Sequence, residues 1–264
     1  MRIIIGGDST IGRALSYSWK EKGISFQSST RKPNLVNPQR PLIDLDSKEW
    51  KEIKENKFNI GVLCAGITSI DKCEKDPVFS KKVNVEGRKE LVNEFIEKKT
   101  HIIMLSSNQV FDGSKKLVEA QEPTSPISEY GKQNAELEEY ILNFPKTTVF
   151  RLTKVIHNNL SILKDWKEKL ESGQEIFPFK DLTLAPISLK QVMQSIEKII
   201  TNKAYGIKQL SAENEISYEQ FAYDFCRQIG LDTRLVSPIN FKDKFKGSTA
   251  PPEHSSLRTS DDIH

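Results

Sequence analysis

Apolar and polar positions along this chain follow two rhythms in turn. Short apolar runs at residues 2–6, 24–28, 41–44, 59–64, 101–106 and 147–152 predict strands. Between them, apolar residues recur at helical spacing over 10–22, 48–55, 77–99 and 128–143. Strands that alternate with helices build an α/β fold, a doubly wound parallel sheet with helices on both faces. Such sheets take their ligands beyond the carboxyl ends of the strands.

The second half is less regular. Residues 159–171, 188–201 and 217–229 predict helices, and 207–211 a strand. Ser217 and Gln220 have the spacing of a capping box at the start of the last helix. From Lys246 the chain is rich in Gly, Pro and Ser, and is expected to be irregular.

Composition narrows the partners. Lys and Arg total 39 against 36 Asp and Glu, giving a formal charge of +3, with the two signs interspersed. That balance argues against a nucleic-acid or membrane-surface protein. The three cysteines, Cys64, Cys73 and Cys226, are an odd number without CxxC spacing, which fits a reducing, cytoplasmic compartment. Met1-Arg2 runs straight into an apolar strand, so no signal peptide is expected. No apolar run approaches the ~20 residues of a membrane span. His101, His157, His254 and His264 are scattered, and no metal site is expected.

The first strand and helix carry the first chemistry. Gly6 ends an apolar strand and Ile11-Gly12-Arg13 opens a helix. A glycine turn lets backbone approach a pyrophosphate, and the helix N-terminus presents free N–H groups. A GxxGxxG pattern would place glycine at position 9, where this chain has Ser9, expected either to widen the approach or to offer its hydroxyl to phosphate. Gly7 is expected to supply flexibility there. The second strand runs into Ser29-Thr30-Arg31-Lys32 without a carboxylate. A basic residue there accommodates an adenosine 2′-phosphate, so Arg31 favours NADP(H) over NAD(H).

Several segments in order resemble the extended short-chain dehydrogenase/reductase family, in its dTDP-4-dehydrorhamnose reductase branch. After the glycine loop come Asp44-Leu45, then residues 62–74, similar to that branch's "NAAAYTAVDKAE". Asn84-Val85-Glu86-Gly87 resembles "NVxG", residues 106–113 "STDYVFDG", and Ser125-Pro126 through Tyr130-Gly131 "P…YG". Residues 181–186 are similar to "DQxGxP" and 252–260 to "RPxxSxLDTSK". The branch continues with one more short helix beyond the point where this chain stops, at His264.

The resemblance implies a Rossmann-type sheet with a small, partly helical C-terminal substrate lobe. Residues 1–153 form the dinucleotide-binding domain, with elements near 183–211 returning to it, and 154–182 with 212–264 form the lobe. Gly6, Ser9, Thr10, Ile11, Gly12, Arg31, Asp44, Leu45, Cys64, Ala65, Gly66 and Asn134 are then expected at the cofactor. Tyr130 is the proton donor to a sugar ketone and Ser107 orients the carbonyl. Thr68, Ile70, Asn108 and Lys154 join these two at the substrate, Lys154 standing where the branch has Trp.

One position departs from the pattern. The family's Tyr is followed four residues later by Lys, which holds the nicotinamide ribose and lowers the phenol pKa. Here that residue is Asn134, which carries no charge. Lys132, two residues on, points to another helix face. Lys154 is a candidate donor from elsewhere in the chain. Two functions follow: a slow or reduction-biased NADPH-dependent reductase of a 4-keto nucleotide-linked sugar for polysaccharide or glycan precursors, or a catalytically silent nucleotide-binding regulatory subunit. A dehydratase of the family fits less well, because Asn108 and Gln109 stand where acidic residues would be expected, and an epimerase, which must both oxidise and reduce, is disfavoured by the missing lysine. A homodimer through the helices over 77–99 and 128–143 is a family-level expectation.

Overall fold

The computed structural model describes residues 1–47, 50–244 and 252–263. Six strands form one parallel sheet: β1 (Arg2–Ile5), β2 (Phe26–Ser28), β3 (Ile60–Leu63), β4 (His101–Ser107), β5 (Thr147–Leu152) and β6 (Gly206–Leu210). Their order is β2-β1-β3-β4-β5-β6, so the chain winds outward from β1 in both directions. The gap between β1 and β3 opens at the carboxyl ends of both strands, the switch point where open α/β sheets bind ligands.

Alternation along β1 explains the layers. Ile3 and Ile5 face one core with Leu63, Leu91, Phe95 and Leu137. These contacts bring α2 (Arg88–Glu97) and α3 (Glu129–Leu142) onto that side. Ile4 points the other way, toward Leu15, Trp19, Val62 and Ile196. That face carries α1 (Thr10–Glu21) and, from later in the chain, Leu189–Asn202. Each such buried Ile, Leu or Phe contributes about 1.5–3 kcal/mol relative to exposure.

A third cluster stands apart from the sheet. It joins Leu163, Trp166 and Leu170 of α4 (Ser161–Glu171) to Phe221, Ala222 and Cys226 of a later helix, Tyr218–Ile229. Counting in chain order, Leu189–Asn202 is α5 and Tyr218–Ile229 is α6. Residues 253–256 bond to Thr183 and Glu215, and the end of the described segment reaches the sheet. Ser260 N–H donates to the Gln209 carbonyl at 3.0 Å, and Ile263 enters the α1/α5 core.

Three expectations change. Residues 41–44 form no strand: Leu42 meets Thr30 in an isolated bridge, and Pro41 has no N–H for a ladder. The helix expected over 48–55 is described only as Lys51–Glu55; residues 48 and 49 lie outside the described residues. The helix expected over 77–99 runs without a gap from Pro77–Lys81 through a π-helical turn at Lys82–Gly87 into α2. At the start of α6, Ser217 Oγ accepts from Gln220 N–H at 3.0 Å, but the Gln220 amide donates to Asp224 instead of closing the box. The full capping box forms at Ser188 and Gln191, at the start of α5. The tail from Lys246 to residue 251 lies outside the described residues.

Candidate active site

The turn after β1 is shaped by one glycine. Gly6 has φ of +88°, and a Cβ there would stand 2.6 Å from the Ala65 amide nitrogen. A side chain at this position would therefore push β1 and β3 apart where their ends meet. Ser9, by contrast, has φ of −70° and ψ of 163°, ordinary extended backbone. It needs no glycine and does not widen the turn. Its Oγ accepts the Gly12 N–H at 3.0 Å and caps α1. Gly12 is buried behind this cap and reaches neither cavity described next.

Two cavities meet at this turn. The outer one, of about 250 Å³, is walled by Gly6, Ser9, Arg31, Asp44, Leu45, Cys64, Ala65 and Gly66. All eight were expected at the cofactor. Asp8 joins them from the glycine turn. Its carboxylate accepts from Thr30 Oγ1 and Arg40 Nη2, each at 2.6 Å. Burial works to raise its pKa, but the bonds from Thr30 and Arg40, with the charges of Arg40 and Lys32, hold it below the usual value. The sequence pattern had placed no carboxylate beside Arg31; the fold brings one there and ties it to a second arginine.

The inner cavity, of about 280 Å³, is walled by Ser9, Thr10, Ile11, Cys64, Thr68, Ser107 and Tyr130, and also by Arg88, Thr153 and His157. Ser9 and Cys64 line both, so the two cavities adjoin there. Burial pushes the Cys64 thiol up to about 12 despite the nearby Arg88 charge, so it stays neutral. Thr153 Oγ1 and His157 Nδ1 are buried without a hydrogen-bond partner. Unsatisfied buried polar atoms at a cavity wall mark positions that a ligand can complete.

Tyr130 enters from the first turn of α3, behind the Ser128 cap. Burial raises its pKa above the ordinary tyrosine value; the Arg88 charge and hydrogen bonding with Asn134 and Ser107 act in the opposite sense. Ser107 ends β4, and its Oγ accepts the Gln109 N–H at 3.2 Å and donates to Asn108 Oδ1 at 3.3 Å. The end of β4 is held by a buried network: Ser106 Oγ donates to Glu138, which pairs with Arg151 Nη2 at 2.7 Å. Asn84, on the π-helical turn, fixes the loop after β3. It accepts from Ile67 N–H at 2.7 Å and donates to the Ile67 carbonyl at 2.9 Å.

Other expected residues stand off the cavity walls. Asn134 is buried and lines neither cavity, but it meets the site through Tyr130: its amide donates to the Tyr130 carbonyl at 2.8 Å and its side chain hydrogen-bonds with the phenol. Ile70 is 41% exposed and Lys154 is exposed, both off the cavity walls. Asn108 meets the site through Ser107, whose Oγ donates to it. Lys132 is turned outward, in an ion pair with Glu129 at 2.8 Å.

Arg88 was missed, although the sequence carried its signal. Val85, Arg88, Leu91, Val92 and Phe95 recur at helical spacing, so the arginine occupies the stripe that faces the core. Among the described residues, no group of three His, Cys, Asp or Glu could hold a metal, and no helix is long and apolar enough to cross a membrane.

Comparison with known proteins gives this architecture relatives. The chain is 23% identical over 260 residues to the probable low-salt glycan biosynthesis reductase Agl14 of Haloferax volcanii, covering 94% of this chain and 86% of that one. The fold matches a dTDP-4-dehydrorhamnose reductase from Clostridium acetobutylicum with a TM-score of 0.85 at 24% identity, over 98% of this chain and 90% of that one. It also matches the Bacillus anthracis dTDP-4-dehydrorhamnose reductase solved in complex with NADP, with a TM-score of 0.85 at 18% identity and the same coverage. The profile of one family, the RmlD substrate binding domain, spans residues 1–262, and the chain belongs to that family.

Proposed function

We propose that this chain is an NADPH-dependent reductase of a 4-keto, nucleotide-linked deoxysugar, acting in glycan or polysaccharide precursor synthesis. The observation that carries this reading is that the two cavities share Ser9 and Cys64 as walls. A dinucleotide laid across these two residues would have Arg31 on the wall at one end and Tyr130 and Ser107 at the other. The residues fit such a group. The α1 N-terminus, at Thr10 and Ile11, offers N–H groups to a pyrophosphate. Thr153 Oγ1 and His157 Nδ1 are free to meet polar atoms at the inner end.

A reduced nicotinamide, when bound, supplies the hydride. The chain's residues do the rest. Ser107 Oγ holds the substrate carbonyl oxygen and Tyr130 gives it a proton as the carbonyl carbon is reduced to an alcohol. Tyr130 is left as phenolate and recovers its proton from solvent. Burial keeps the phenol protonated at neutral pH, the form that reduction needs. The α4/α6 cluster is the lobe that covers the sugar nucleotide, and the glycan reductase of Haloferax volcanii supports the pathway class.

Nicotinamide fluorescence during titration with NADPH and NADH tests the reading. Saturable binding is expected for both, tighter for NADPH, and Arg31→Ala should cut the NADPH advantage about tenfold, the loss of one charge-assisted contact. Failure to bind either dinucleotide would overturn the proposal. Tight binding with no turnover of any keto-sugar nucleotide would favour the silent regulatory subunit, the reading that the uncharged Asn134 supports.

A further inference from the structure

Arg88 is a buried cation without an anion. Its residue is only 5% exposed. Nε donates to the Ala65 carbonyl at 2.7 Å, and Nη2 donates to the same oxygen. Among the described residues Nη1 has no acceptor, and no carboxylate pairs with the guanidinium. Desolvating a charge costs several kcal/mol unless something repays it. The guanidinium nevertheless lies on the wall of the inner cavity with Tyr130, Ser107 and Thr68.

The site is built to keep it there. The π-helical turn at Lys82–Gly87 lies directly before Arg88, and π-bulges are frequent where a helix is re-aimed at a functional site. Gly66 leaves the space the guanidinium fills: a Cβ at that position would stand 2.2 Å from Nη2 and 2.8 Å from Cζ. The Ala65 carbonyl anchors the Nε/Nη2 edge of the group, and the residue stands on the cavity wall.

The anion it answers is generated by the reaction. When Tyr130 gives up its proton, a phenolate is left in a buried site, and that charge is as costly to desolvate as the arginine's. The other groups around the phenol carry no compensating positive charge. Cys73, on the helix Ile70–Lys75, and Cys64, at the end of β3, are thiols raised by burial and therefore neutral. His157 on the facing wall is held low, first by burial and then by the Lys154, Arg13 and Lys164 charges. Glu129, beside Tyr130 on α3, accepts Lys132, and Glu74 accepts the Glu129 N–H at 2.8 Å.

We propose that Arg88 is the electrostatic positioning residue of this site, its guanidinium taking the place of the cation missing at position 134. The proposal rests on the reductase reading for its purpose, but its test does not need turnover. Fluorotyrosine is placed at position 130 and its ionisation followed by fluorine NMR, in the wild-type chain and in Arg88→Met. Removing an opposite charge from the wall of the same cavity should raise the phenol midpoint, by about one to three pH units for a close pair. Asn134→Lys in the Arg88→Met background should bring it back down, a rescue that a packing role for Arg88 would not give. Asn134→Lys alone should change the midpoint little, because the charge is already present.

If Arg88→Met does not fold, Gly66→Ala serves as the second variant. It displaces the guanidinium without removing it, and the same upward shift is expected. An unchanged midpoint in a folded Arg88→Met or Gly66→Ala chain overturns the proposal, whatever the enzyme turns over. A shifted midpoint in a chain inert toward keto-sugar nucleotides leaves the proposal standing and refutes the reductase reading instead.

Discussion

Among the described residues two arginines lie buried, and their surroundings could hardly differ more. Arg151, on β5, gives three hydrogen bonds to the Glu138 carboxylate, of 2.7 to 3.2 Å, and one to Gln209 Oε1 at 3.1 Å. Arg88 gives its bonds to one carbonyl and faces a cavity. The first is paired within the fold and fixes the end of β4 through Ser106. The second is left for something that the fold does not contain. A buried charge that is fully matched reports on architecture; one that is unmatched at a cavity wall reports on the ligand or on the charge that chemistry creates there.

Stability should separate them most widely. Arg151→Met leaves Glu138 buried and unpaired, and is expected to cost about 3–5 kcal/mol in denaturant unfolding. Arg88→Met orphans only a carbonyl and relieves a desolvated charge, so its cost should stay below about 2 kcal/mol. Equal losses would break the comparison.

Turnover should reverse the order. Folded Arg151→Met is expected to keep its rate per molecule, whereas Arg88→Met should slow alcohol oxidation about tenfold or more, one pH unit of phenol shift being a factor of ten. The smaller effect is on reduction. That direction needs the protonated phenol, so its rate should hold through neutral pH. It should fall only as pH rises through the Tyr130 pKa, which burial sets above the ordinary ~10. Arg88→Met should move this alkaline limb higher still. A limb that stays in place would show that the charge does not act on Tyr130.

The same contrast explains what could be read from the sequence. The sheet was legible because Ile3, Ile4 and Ile5 face alternate cores, and the helix starts because Ser128, Ser188 and Ser217 are caps. Residues 41–44 misled because an apolar run beside Pro41 makes a bridge and not a ladder. The outer cavity was legible because backbone and small side chains at fixed spacings make it. The inner one was legible at Ser9, Thr10, Ile11, Cys64, Thr68, Ser107 and Tyr130, and not at Arg88, Thr153 or His157. Asp8 depends on which loops the fold brings together, whereas Arg88 stands on the core stripe of α2, where the sequence already carries a cation.

The measurement that tests the account most directly is NADPH oxidation on adding a 4-keto-6-deoxy nucleotide sugar, by the wild-type chain beside Tyr130→Phe. The account predicts oxidation matched by formation of the reduced sugar, and a loss of about 10²–10⁴ in rate when the phenol is removed. NADPH that binds but is not consumed, or consumption that Tyr130→Phe leaves intact, would contradict it.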